Sequence, residues 1–302
     1  MPGTPRHRPL TAWLAAATLV ATLSVAHAQA QPPPITDEEF AAATQVYFDR
    51  CAGCHGALRA GATGPNVFPE RLAEPGRPLP ITMLDTDLFL HDGGWAGDRY
   101  FVVAANALEK LMVIDAQERT LAAEVTAGEI PHPGRGANWV HPDFGPVWAT
   151  GNLGSAEMTV MGADPEGHPE HAWQVVARVE VPFTGNLFLK THENSPWVFY
   201  DSPMSPSPAG SATVCAIDKI ALAVERCWEV PGAQALGARV VHPEFTRDGR
   251  EVWLSVWGSM NEPSSIVVYD ADTLEEIDRI EGDWVRTPTG KFNVHNTAND
   301  VY

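Results

Sequence analysis

Cys51-Ala52-Gly53-Cys54-His55 carries the plainest chemical signal in this chain of 302 residues. In a Cys-x-x-Cys-His segment the two thiols add across the vinyl groups of a haem, and the histidine behind them reaches the iron as an axial ligand. Cys51, Cys54 and His55 are therefore the candidate attachment residues of a covalent haem c, with His55 on the metal. Half of a zinc site competes with this reading, although no second Cys/His pair follows at finger spacing; a redox dithiol is the other alternative. For the far side of the iron the sequence offers no Met or His between His55 and Ile81. Met83 is the first methionine after the motif, and it lies in the strand-like run ITMLDTDLFL.

The motif needs a scaffold, and the residues before it supply part of one. DEEFAAATQVYFDR, residues 37–50, places Phe40, Ala43, Val46 and Tyr47 on one helical face, as the first helix of a short cytochrome c segment would. Ahead of it, Arg6 and Arg8, an apolar run from Leu10 to Val25 and the small-x-small triplet Ala26-His27-Ala28 read as a secretion signal over residues 1–28, cleaved near Ala28. A single membrane anchor is the alternative, but the run is short for a span of about 20 residues. Export to the periplasm is the expectation. Residues 29–80 then form a truncated cytochrome c-like segment and residues 81–302 a second domain.

Charge narrows the partners. Cleavage removes two basic residues and no acids, leaving 18 Lys+Arg against 38 Asp+Glu, a net charge of −20. So acidic a surface argues against nucleic acid and anionic membranes and leaves basic electron carriers in play. The remaining cysteines, Cys215 and Cys227, lie on two strand-like runs around the turn at Asp218–Ala221. A disulfide and two buried thiols are both consistent with that placement.

From His91 onward the sequence repeats. RYFVVAAN with KLMVIDAQERTLAAEV is followed by PVWATGN with EMTVMGADPEGHPEHAWQVVARV, by WVFYDSP with TVCAIDKIALAVERCWEV, and by EVWLSVW with SIVVYDADTLEEIDRI. The turn aspartates Asp115, Asp164, Asp218 and Asp270 recur at intervals of 49, 54 and 52 residues. Periods near 50 with about four strands each are the mark of propeller blades. The fold class is thus all-β, a partial β-propeller with about four blades visible where large rings use up to about eight. One blade cannot bury both faces alone, and unpaired blade edges invite association, so an open or partner-closed edge and a homo-oligomer are expected.

FLHDGGWAGDRYFVVAAN, PHPGRGANWVHPDFGPVWATGNLG, ADPEGHPEHAW, LFLKTH, EVWLSVW and the ending TPTGKFNVHNTANDVY, in that order, resemble the cytochrome cd1 nitrite reductases. CAGCHGALRAGATGP is similar to that family's haem c attachment segment, so the resemblance covers roughly residues 49–66 and 88–302. It implies an eight-bladed propeller holding non-covalent haem d1, with electrons passing from haem c to haem d1 and reducing nitrite to nitric oxide. The electron donor it implies is a small periplasmic cytochrome c or cupredoxin.

By motif, His91 in FLHDGG and His132 in PHPGRGAN match the two histidines that supply protons, and Arg135 beside them is a candidate partner for a haem carboxylate or the bound anion. Read without the family, both histidines are turn residues bonded to backbone. His141, His168, His171, His192 and His242 stay with that plainer reading, and Trp148, Trp253 and Trp257 read as core between blades. Between about Val67 and Thr86 the sequence passes directly from the haem c segment to the later blades. The rest of the cytochrome fold, the early blades and the histidine that binds the d1 iron from below have no counterpart. A dehydrogenase of haem d1 synthesis, and a non-catalytic haem c carrier or d1-binding remnant, are the alternative functions.

Overall fold

A computed structural model describes residues 82–259 and 262–289, together with Thr36, Glu38, Phe40, Ala41 and Gln45. The signal segment, the Cys51–His55 motif and nearly all of the helix expected before it lie outside the described residues. Met83 is described, and it is 92% exposed in a stretch with no ladder partner. The strand expected over residues 81–90 begins only at Leu90; before it the chain is tied by single contacts such as the Lys110 ammonium on Asp87.

Among the described residues, sixteen strands form four antiparallel sheets, each taking its strands in sequence order. The first holds β1 (Leu90–Ala96), β2 (Tyr100–Ala105), β3 (Lys110–Asp115) and β4 (Thr120–Thr126). The second holds β5 (Pro131–His141), β6 (Gly145–Asn152), β7 (Glu157–Gly162) and β8 (Val175–Glu180). The third has β9 (Leu189–Thr191), β10 (Trp197–Asp201), β11 (Thr213–Asp218) and β12 (Ala223–Glu229); the fourth has β13 (Arg239–Phe245), β14 (Glu251–Trp257), β15 (Ser265–Asp270) and β16 (Glu276–Glu281). The first strands of successive sheets lie beside one another, β1 by β5, β5 by β9 and β9 by β13, which is a propeller-like succession.

Apolar residues on both faces of the middle sheets hold the stack together. Val102, Leu111 and Val113 of the first sheet meet Trp148 and Met161 of the second. Val147 and Val160, on the second sheet's other face, meet Val198, Tyr200 and Ile217 of the third. Phe199, Val214 and Ala216 then meet Val240, Leu254 and Val267 of the fourth. Strand side chains alternate between faces, so a sheet buried on both sides needs apolar residues at successive positions, and β2, β3, β10 and β11 supply them. Trp148 is fully buried between sheets as expected, whereas Trp253 and Trp257 alternate with the core residues Val252, Leu254 and Val256 and so face away from the third sheet.

The turn aspartates do the same job four times. Oδ1 of Asp115 accepts the N–H groups of Gln117 and Glu118, that of Asp164 those of Glu166 and Gly167, that of Asp218 those of Ile220 and Ala221, and that of Asp270 those of Asp272 and Thr273. Each caps the turn from the third strand toward the fourth. Arg99 beside Asp115 holds that carboxyl down at about 2. Cys215 and Cys227 face each other across β11 and β12 and are joined as a disulfide, which settles the choice left open by the sequence.

Candidate functional site

Register shifts between the third and fourth strands of every sheet, and three of the four first strands are bulged as well. β1 is bulged between His91 and Gly93, β5 between His132 and Ala137, and β13 between Val241 and Glu244. A bulge re-aims side chains out of the alternating pattern, and here it does so at three histidines, His91, His132 and His242. Asp92 and His242 adopt positive φ, 57° and 63°, a conformation unfavourable for residues with a side chain. Hydrogen bonds hold both in place. Asp92 Oδ1 accepts the Gly93 N–H at 3.0 Å and Oδ2 the Gly134 N–H at 2.7 Å, while the His242 N–H donates to Asp201 Oδ2 at 2.9 Å.

One ring from each sheet results. The centroids of His91 and His132 are 5.3 Å apart, Phe188, just before β9, stands 6.4 Å from His132, and His242 stands 4.6 Å from Phe188. The first two can come this close because β1 and β5 cross at Gly94, where a Cβ would fall on the Arg135 backbone carbonyl. His91 is exposed and His132 buried.

His132 Nδ1 lies 3.0 Å from the Leu187 carbonyl oxygen and 3.6 Å from Asp92 Oδ2. A carbonyl can only accept, so Nδ1 carries the proton and Nε2 is the atom left for exchange. Burial pushes the His132 imidazole below its ordinary value, against the pull of the Asp92 carboxylate and the Leu187 carbonyl.

Arg135 is exposed and shares a small cavity with Gly134, Phe188, Lys190, His242 and Glu244. Lys190 and Glu244 are buried, and His242 Nδ1 lies 3.4 Å from Glu244 Oε1. Protonatable rings next to cationic side chains can hand protons to a small anion and hold an anionic group beside it. Among the described residues no group of three or more His, Cys, Asp or Glu is placed to hold a metal ion.

Two of the histidines set aside in the sequence are structural links. The His141 and His192 Nε2–H groups donate to the carbonyls of Ile220 and Arg247, in turns of the next sheet. His168 Nδ1 bonds the turn carboxylate of Asp164. His242 is different, because it joins the row of rings. Sequence reasoning missed it, and the signal that could have found it is the local likeness of VHPE to the PHPG around His132.

The profile of the family described as Cytochrome D1 heme domain matches residues 73–297. A nitrite reductase of Stutzerimonas stutzeri is 44% identical over 237 residues, which are 74% of this chain and 42% of that protein. A dihydro-heme d1 dehydrogenase of Pseudomonas aeruginosa is 29% identical over 223 residues, 73% of this chain and 41% of that one. The chain thus spans about two fifths of the length of the curated relatives it matches. Among solved structures, a dihydro-heme d1 dehydrogenase in complex with DHE aligns with a TM-score of 0.58 and 27% identity over 71% of this chain and 41% of that one. The hydrazine synthase of Kuenenia stuttgartiensis, at a TM-score of 0.51 and 14% identity over 68% of this chain and 53% of that one, shares the fold.

Proposed function

Because the chain belongs to the cytochrome D1 heme domain family, we propose that its blades are part of an eight-bladed-type haem d1 propeller that reduces nitrite to nitric oxide, with His91 and His132 supplying the protons. Nitrite takes up two protons and one electron and leaves as nitric oxide and water, so two acids serve where one would have to reload in mid-reaction. The observation that carries the reading is the 5.3 Å pairing of the His91 and His132 rings, with His132 held as the Nδ1–H form.

The residues present fit haem d1 by the chemistry of the set. Rings of Phe188 and the histidines offer flat apolar and proton-bearing surface, and the cations Arg135 and Lys190 suit carboxylates of a macrocycle or nitrite itself. When bound, haem d1 supplies the iron at which nitrite is held and through which the electron arrives. His132 presents Nε2, and Asp92 beside Nδ1 favours its protonated form. His91, exposed, exchanges protons with water and lies next to His132.

Upstream, Cys51 and Cys54 would hold haem c with His55 on its iron, fed in the periplasm by a small cytochrome c or cupredoxin. A second reading, oxidation of a dihydro-haem d1, is favoured by the 0.58 TM-score to the dehydrogenase structure; there the same imidazoles would accept the two protons, and the haem c expected on Cys51 and Cys54 would take the two electrons one at a time.

The test is the full chain loaded with haem d1 and given nitrite and a reductant. Nitric oxide should form, and His132→Ala should cut turnover by about 10² or more at unchanged haem content. Loss of haem d1 from the variant would make His132 structural. Haem d1 binding in the unaltered chain without nitric oxide would leave the dehydrogenase or the non-catalytic d1-binding module.

A further inference from the structure

We propose that Asp201 is a positioning residue for His132, fixing the carbonyl that decides which of the two imidazole nitrogens carries the proton. The inference deepens the proposed function, on which its catalytic meaning rests. Asp201 ends β10 and is fully buried. Its Oδ1 accepts the N–H groups of Leu187 at 3.0 Å and Phe188 at 2.9 Å and the Asn186 side-chain amide at 3.1 Å, and its Oδ2 accepts the His242 N–H at 2.9 Å. One carboxylate in the third sheet therefore ties down the segment before β9 and the bulge of β13.

The Leu187 carbonyl and the Phe188 N–H belong to one peptide unit, and in a trans peptide they point in opposite directions. Anchoring the Phe188 N–H on Asp201 thus aims the Leu187 carbonyl away from Asp201, and it meets His132 Nδ1 at 3.0 Å. The alternative acceptor, Asp92 Oδ2, is 3.6 Å from Nδ1 and is occupied by the Gly134 N–H at 2.7 Å. Only a carboxylate offers Asp201's pattern, because an amide has one accepting oxygen and its NH2 group would face N–H donors. Among the described residues, the charged and titratable groups that act on His132 are Asp92 and His91 of β1, and Arg135 of β5 lies three residues along the same strand. Beyond Phe188 stand Lys190 of β9 and His242 and Glu244 of β13.

The test uses the full chain before haem d1 is added, labelled with 15N-histidine, and reads the tautomer and titration midpoint of His132 by NMR. Because no nitrite chemistry is involved, its failure is distinct from failure of the proposed function. The unaltered chain should show the Nδ1–H tautomer. In Asp201→Asn the carbonyl is released and Nδ1–H loses its fixed acceptor, so the Nδ1–H tautomer should give way to a mixture with Nε2–H. A folded Asp201→Asn protein with the tautomer of the unaltered chain would overturn the proposal. Should that variant not fold, Asp92→Asn decides: retention of the Nδ1–H tautomer is expected if Leu187 is the acceptor, and its loss overturns the assignment.

Discussion

His132 and His141 stand at opposite ends of β5, both buried, and they are wired for different work. His141 spends both nitrogens on fixed partners, donating from Nε2 to the Ile220 carbonyl at 2.9 Å and accepting the Asp143 N–H on Nδ1 at 3.1 Å. His192, at the far end of the third sheet's first strand, repeats this pattern with Arg247 and Asn194. These rings are cross-links between sheets. His132 commits only Nδ1 to a hydrogen bond among the described residues, and it sits in a row with His91, Phe188 and His242. On the proposed function, one strand thus carries stability at one end and chemistry at the other. What separates them is whether an imidazole keeps a nitrogen available, not how deeply it is buried.

Forcing the two first strands apart should give the largest effect. Gly94→Ala sets a Cβ against the Arg135 backbone, which cannot yield as a side chain would. A destabilisation of about 3 kcal/mol, at the upper end for overpacking, is expected from the shift of the urea midpoint, together with loss of nitrite turnover. Full stability in that variant would mean that the close crossing is not required. A smaller effect is expected at the other end of β5. His141→Ala leaves the Ile220 carbonyl and the Asp143 N–H without their partner and should cost about 1–3 kcal/mol. It should leave haem d1 content and turnover per folded molecule unchanged. A drop in turnover at intact stability would erase the distinction between the two ends.

The sequence exposes one of these ends better than the other. The turn aspartates could be found because the same short-range bonds recur in every sheet, from Oδ1 to N–H groups two and three residues ahead. The second and third strands of each sheet showed as apolar runs. The first strands did not, since LHDGGWA and PHPGRGANWVH lack alternation, and bulges and glycines are what make them useful. Asp201 carried no signal at all, because the N–H groups it collects lie 13, 14 and 41 residues away. His242 looked like a strand-end residue until the bulge of β13 placed it beside Phe188. His91 and His132 were identified by family motif, and nothing in their spacing of 41 residues announces a 5.3 Å contact.

Haem d1 is proposed to bind at the end of the first strands bearing His91, His132, Phe188 and His242. Spectroscopic titration of the full chain with haem d1 tests it most directly, run beside His132→Ala and His141→Ala. Saturation at one haem d1 per chain is expected in all three proteins, with the bound spectrum altered only in His132→Ala. A titration that never saturates, or a bound spectrum that changes with His141 and not with His132, would contradict it.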